Sequence, residues 1–189
     1  MGRTKVDRAV AQIGVVVLVV VAAIGCGSGN TTPANVTPDP QTGTAIDGRY
    51  ELKFTVDRTT LKPGDNISGT AELWLKAGGS GVLSGPSQLF AFEFVEVGGQ
   101  QRAVAPAVDS DCSPHQLGQD RPLTSPIYRS GAPGTGANGD FVSQFLQGET
   151  INLPAGTWDI SAVAGFFDGR SCGGLRHTIR STIRVQVNA

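Results

Sequence analysis

The segment Ile179–Val187 leaves little freedom of fold. Ile179, Ser181, Ile183, Val185 and Val187 alternate with Arg180, Thr182, Arg184 and Gln186. Successive side chains of a strand point to opposite faces, so this period of two predicts a half-buried β-strand. The pattern recurs upstream. Tyr50, Leu52, Phe54 and Val56 alternate with Glu51, Lys53 and Thr55. Ile67, Ala71, Leu73 and Leu75 take one side of the next run; Ser68, Thr70, Glu72, Trp74 and Lys76 take the other. Phe90, Phe92 and Phe94 share a side of Leu89–Val97, and Trp158, Ile160, Ala162 and Ala164 alternate with Asp159 and Ser161. Turn residues separate these runs: Pro63-Gly64-Asp65-Asn66, Gly98-Gly99 and Pro154-Ala155-Gly156. About seven short strands between such turns predict an all-β domain, an antiparallel sandwich or barrel. The 26 glycines and 11 prolines suit turns and strands better than helices.

The remaining stretches are less regular. Residues 78–86 read as a flexible loop, and 102–108 as a short strand. Asp109 to Asp140 reads as a long irregular loop with one short strand around Ile127–Tyr128. A loop that long in a compact domain is commonly functional or mobile. Phe141–Leu146 fits either a two-turn helix between Asp140 and Gly148 or a strand. A strand is preferred, because strands precede and follow it.

Two short stretches, Leu61-Lys62-Pro63-Gly64-Asp65 and Leu153 to Ile160, resemble the turn-then-strand entries of bacterial immunoglobulin-like domains. The resemblance implies an immunoglobulin-like β-sandwich. It licenses no activity, because that fold hosts many unrelated functions.

The N-terminus carries a second resemblance. Arg3, Lys5 and Arg8 precede an apolar run, Ile13 to Gly25, which ends at Ala23-Ile24-Gly25-Cys26-Gly27. A basic start, a short apolar stretch and a small-residue cleavage site make a secretory signal. The run is too short for a spanning helix of roughly 20 residues. The junction resembles the lipobox of bacterial lipoproteins, although Ala23 stands where the family prefers Leu. The resemblance implies cleavage before Cys26 and acylation of that cysteine, palmitate included. More than one chain is needed for a stable anchor. Residues 1–25 are then a lipoprotein signal peptide. Residues 26–47, with Ser, Thr, Pro and Gly and few apolar groups, are a flexible tether. Residues 48–189 are the domain, held outside the cytoplasm on the cell membrane.

The formal net charge is −1, with no basic stripe, which excludes nucleic acid as a natural partner. Two cysteines remain beyond Cys26. In an exported chain, Cys112 and Cys172 most simply form one disulfide. It would close a loop of about 60 residues, worth roughly 4 kcal/mol in the chain-entropy account. The chain's two histidines each follow a cysteine, as Cys112-x2-His115 and Cys172-x4-His177. Zinc takes Cys and His ligands at such spacings, so a metal site on these four is the alternative.

Other motifs carry less. Gly169-Arg170-Ser171-Cys172-Gly173 matches G-x-S-x-G, but that nucleophile needs a strand-to-helix turn, and no helical pattern follows. Gly134 to Gly139 matches G-x-G-x-x-G without a βαβ unit. Asp109, Asp111 and Asp120 lack calcium-loop spacing. Trp74 shares the outward parity of Glu72 and Lys76, and an outward Trp is a candidate contact for a sugar or protein. The expectation is therefore a lipid-anchored binding or structural module of the cell envelope, not an enzyme and without a cofactor. Its partners are the bilayer, through acylated Cys26, and a protein or glycan. The alternatives are a metal-binding protein and an envelope hydrolase using Ser171.

Overall fold

The computed structural model describes residues 40–76, 79–132 and 136–189. Among these residues eleven strands make two packed sheets, with one helix beside them. The expected all-β sandwich stands, with more strands than the seven counted from sequence. The first sheet joins β1 (Gln41–Asp47), β2 (Tyr50–Val56), β4 (Gly69–Leu75) and β9 (Leu123–Pro126), all antiparallel. The second is built on β10 (Gly156–Asp168) and β11 (Arg176–Val187), paired antiparallel over their whole length. β3 (Thr60–Leu61) pairs parallel to the end of β11. On its other side β10 takes two neighbours in turn. β6 (Phe90–Glu96) runs along Trp158–Ala164, and β5 (Ser80–Gly85) meets Phe167 and Asp168. β8 (Ser113–Gly118) pairs with β5, and β7 (Ala103–Val104) with β6.

The alternation places the core as expected. Leu52, Phe54, Leu73, Phe92, Phe94, Trp158 and Ile160 are fully buried between the sheets. The inward residues of β11, including Ser181, are buried, and its Arg and Thr residues are exposed.

Four expectations are corrected. Residues 41–47, assigned to the tether, form β1. Its inward side chains are Gly43 and Ala45, too small to register as an apolar face. The smallness is required, since a Cβ at Gly43 would lie 2.8 Å from Ser181 Oγ. The expected loop after Gly78 contains β5, where Val82 and Leu83 stand among glycines and serines. Among its described residues, the segment 109–140 holds two strands not expected there: β8 pairs in one sheet, and after the Gly118–Arg121 turn β9 joins the other. Ile127 and Tyr128 lie just beyond β9 instead of forming a strand of their own.

The fourth correction is Phe141–Leu146, which lies within helix α1 (Gly136–Gln147). Val142 and Phe145, three apart, are buried, with Phe141 and Leu146 packed beside them. That spacing suits a helical stripe and not a strand face. Phe145 meets Phe94 at 5.0 Å and Phe141 meets Trp158 at 5.6 Å. Arg129 donates to the carbonyls of Phe145 and Leu146 at 3.2 and 3.3 Å, satisfying orphan acceptors at the helix C-terminus.

Candidate functional site

Cys112 and Cys172 are bonded, with S–S 2.07 Å and Cα–Cα 6.0 Å. The bridge ties the chain entering β8 to the turn between β10 and β11. It consumes both thiols, and the histidines face elsewhere. His115 Nε2 lies 2.8 Å from the carbonyl of Pro86. His177 is buried between two carboxylates, its Nδ1 at 2.8 Å from Asp47 and its Nε2 at 3.3 Å from Asp168. The four residues of the zinc alternative are therefore not assembled. Among the described residues no group of three His, Cys, Asp or Glu is placed to hold a metal ion.

The His177 cluster joins the two sheets at one end of the sandwich. Asp47 and Tyr50 flank the β1–β2 turn, and Asp168 and His177 flank the β10–β11 turn. Tyr50 OH donates to Asp168 and accepts from Arg49 at 3.1 Å, and Arg49 lies 3.5 Å from Asp168. Phe166 stacks on the His177 ring at 5.1 Å, with Tyr50 edge-on to both. Burial pushes the Asp168 carboxyl up. The bonds from Tyr50 and His177, with the Arg49 charge, outweigh it and hold the group below its ordinary value. Burial, then the bond to Asp168, pushes the Tyr50 phenol up. Among the described residues no hydroxyl or thiol is bonded to His177; its two ring nitrogens are engaged by the carboxylates. The arrangement fastens two turns together.

Ser171 lies exposed in the β10–β11 turn, and strand β11 follows it, not a helix. Gly169 there has φ 94°, and Gly174 is confined because a Cβ would lie 2.2 Å from the Asp168 carbonyl. These glycines shape a tight hairpin connection. Of the G-x-G-x-x-G stretch, Gly134 and Thr135 lie outside the described residues; Gly136 and Gly139 belong to α1. Asp111 is a structural clasp, its two oxygens accepting from Ser87 N at 3.0 and 3.1 Å and one from Ser113 Oγ at 2.9 Å. Those bonds, Ser87's first, hold it below the ordinary carboxylate range. Among the described residues, Asp109 and Asp120 do not join it in a group placed to hold a metal ion.

Trp74 lies on the outer face of the first sheet and is half-buried. Its Nε1 donates to Glu72 at 3.0 Å, and the Lys53 ammonium sits 4.9 Å from the ring centre. Same-face neighbours therefore cover part of it. Ile46 on β1, exposed on 58 % of its surface, shares that face. The segment 109–112 lies instead against the outer face of the second sheet. Residues 109–112 are thus on the opposite side of the sandwich from Trp74, whereas β9, from the same 109–140 stretch, pairs with Trp74's own strand β4.

Sequence reading missed the buried ion pair of Glu96 and Arg102. Glu96 accepts from Arg102 Nε at 3.0 Å, Arg102 Nη2 at 2.7 Å and the amides of Gln100 and Arg102. The Arg102 guanidinium stands 5.3 Å from Trp158 and 5.6 Å from Phe141. The Arg102 bonds hold the Glu96 carboxyl below its ordinary value against burial. Glu96 at an inward strand parity was the available signal.

Cys26 and the proposed signal and tether up to residue 39 lie outside the described residues. Among the described residues no helix is long and apolar enough to cross a membrane. No protein-family model, curated protein or solved structure matches this chain.

Proposed function

We propose that this chain is a lipid-anchored extracytoplasmic module that binds a partner at the cell envelope without catalysis. The observation that carries the reading is the Cys112–Cys172 bridge. A structural disulfide belongs to an oxidising compartment, which suits a chain exported by its N-terminal segment. The lipobox-like junction at Cys26 supplies the attachment. The absence of a catalytic role rests on the histidines: each is bonded to a structural acceptor, and Ser171 stands on a hairpin turn. Trp74, on the outer face of the first sheet, is the proposed contact for a protein or glycan.

Fractionation of bacteria expressing the full chain tests the anchor. The wild-type protein sediments with membranes and incorporates a palmitate analogue. Cys26→Ser does neither. If the Cys26→Ser protein stays in the membrane fraction, the anchor is not an acylated Cys26.

A further inference from the structure

The outer face of the second sheet carries a cleft of about 450 Å³, within the range that holds small organic ligands. It opens where β10 changes neighbour. β6 pairs as far as Ala164 and β5 begins at Phe167, so Gly165 lies at the gap. Val163, Gly165 and Phe167 share the outward parity of β10, with Thr178 opposite Gly165 and Arg176 opposite Phe167. Leu89 and Ala91 extend the apolar floor. The facing wall is the segment Val108–Cys112. The disulfide fixes that wall to Cys172, and the Asp111–Ser87 bonds fix it to the loop before β6. A wall held at both sides is preorganised, which lowers the ordering cost of binding.

Gly165 is a strand glycine that faces open space. A glycine inside a strand weakens it and has no side chain to pack. Close neighbours explain some other strand glycines: a Cβ at Gly69 would lie 2.1 Å from the Thr55 carbonyl and one at Gly43 2.8 Å from Ser181 Oγ, whereas Gly81 and Gly118 would make only ordinary contacts. At Gly165 a Cβ would meet nothing within 4 Å, and its φ is not in the left-handed region. Nothing else in the described chain needs this position bare. Close approach of a ligand is a recognised use of a strand glycine.

Charge selects the ligand class. Arg180 and Arg184, on the same face of β11, are paired with Glu93 and Asp159. Arg176 has no carboxylate within 4 Å among the described residues and borders the cleft. Asp109 and Asp111 line the facing wall, so the cleft has room for an anionic group only beside Arg176. We propose that this cleft binds a small aromatic monocarboxylate, its ring flat over Gly165 between Val163 and Phe167 and its carboxylate on Arg176. This site is separate from Trp74 and goes beyond the binding-module reading.

The test is calorimetric titration of the full chain, purified from membranes in detergent, with 2-naphthoate. Wild type binds it and ignores both 2-naphthylmethanol and butyrate, which lack the charge and the ring. Arg176→Gln weakens binding about tenfold or more, the size expected for a lost charge-assisted bond. Gly165→Val fills the open space with a strand-favouring residue, so it abolishes binding while its melting temperature stays at or above wild type. Absence of 2-naphthoate binding to wild type overturns the proposal, as does unchanged affinity in folded Gly165→Val or Arg176→Gln. The fractionation of Cys26→Ser reads the anchor separately. A chain that sediments with membranes yet ignores 2-naphthoate therefore rejects the cleft alone.

Discussion

Replacing Glu96 by Gln should be among the most damaging single-atom changes in this domain. The Glu96 side chain is 4 % exposed and that of Arg102 17 %. Four donors converge on the carboxylate: two from the guanidinium and two backbone amides of the β6–β7 turn. That turn is costly to form without help, since Gly98, Gly99 and Gln101 all have positive φ, Gln101 at 56°. Gln has a single acceptor oxygen, and its amide NH2 would face a guanidinium. Breaking a buried pair on one side costs about 3–5 kcal/mol. Partial exposure of Arg102 lets water recover some of its charge, so about 3 kcal/mol is expected. For a domain of this size that is a fall of roughly 6–12 °C in melting temperature. The sign of the pH dependence follows from the depressed Glu96 carboxyl. Its contribution is fully present above the unfolded-state carboxylate range and fades as pH falls through the lower folded-state value. Urea unfolding of wild type and Glu96→Gln at neutral and strongly acidic pH reads both effects. The gap should be wide at neutral pH and narrow in acid. Changing Arg102 to Met as well should recover part of the loss, because Met can pack beside Phe141 and Trp158. A neutral-pH gap under about 0.5 kcal/mol, or one independent of pH, would refute the reasoning.

Asp168→Asn removes the charge and one of the two acceptor oxygens that serve Tyr50, Arg49 and His177, and should lower stability above the carboxylate range and matter little in strong acid; equal melting temperatures at neutral pH would contradict this. Gly43→Ala should destabilise by about 1–3 kcal/mol through overpacking on Ser181, and Ser181→Gly in the same chain should restore part of it, measured by urea unfolding. Cys112→Ser with Cys172→Ser should cost up to about 4 kcal/mol; a variant as stable as wild type would show that the 60-residue loop is constrained without the bond.

The strands with large inward residues were legible because alternation needs only side-chain size. Tyr50–Val56 and Ile179–Val187 carry it without interruption. β1 and β5 were not legible, for a physical reason: many of their positions are Gly, Ala and Ser, which carry no apolar alternation, and at Gly43 and Gly85 neighbouring groups come within 3.0 Å of where a Cβ would stand. Helix α1 was misread because context was preferred to period. The Phe141, Val142, Phe145 and Leu146 spacing was helical from the start. The Cys112–Cys172 pairing followed from cysteine arithmetic once the chain was read as exported. The places of His115 and His177 did not, because a partner such as Asp47, 130 residues from His177, leaves no local trace. The cleft at Gly165 depends on where β10 exchanges β6 for β5, which only the assembled sheet reveals.

Intact mass spectrometry of the unreduced mature protein, recovered from membranes of an expressing bacterium, tests the central claim most directly. The account predicts a chain beginning at Cys26, carrying acyl groups on that residue and offering no thiol to alkylation. A chain that retains residues 1–25, or that begins elsewhere without acyl mass and with both Cys112 and Cys172 alkylated, would contradict it.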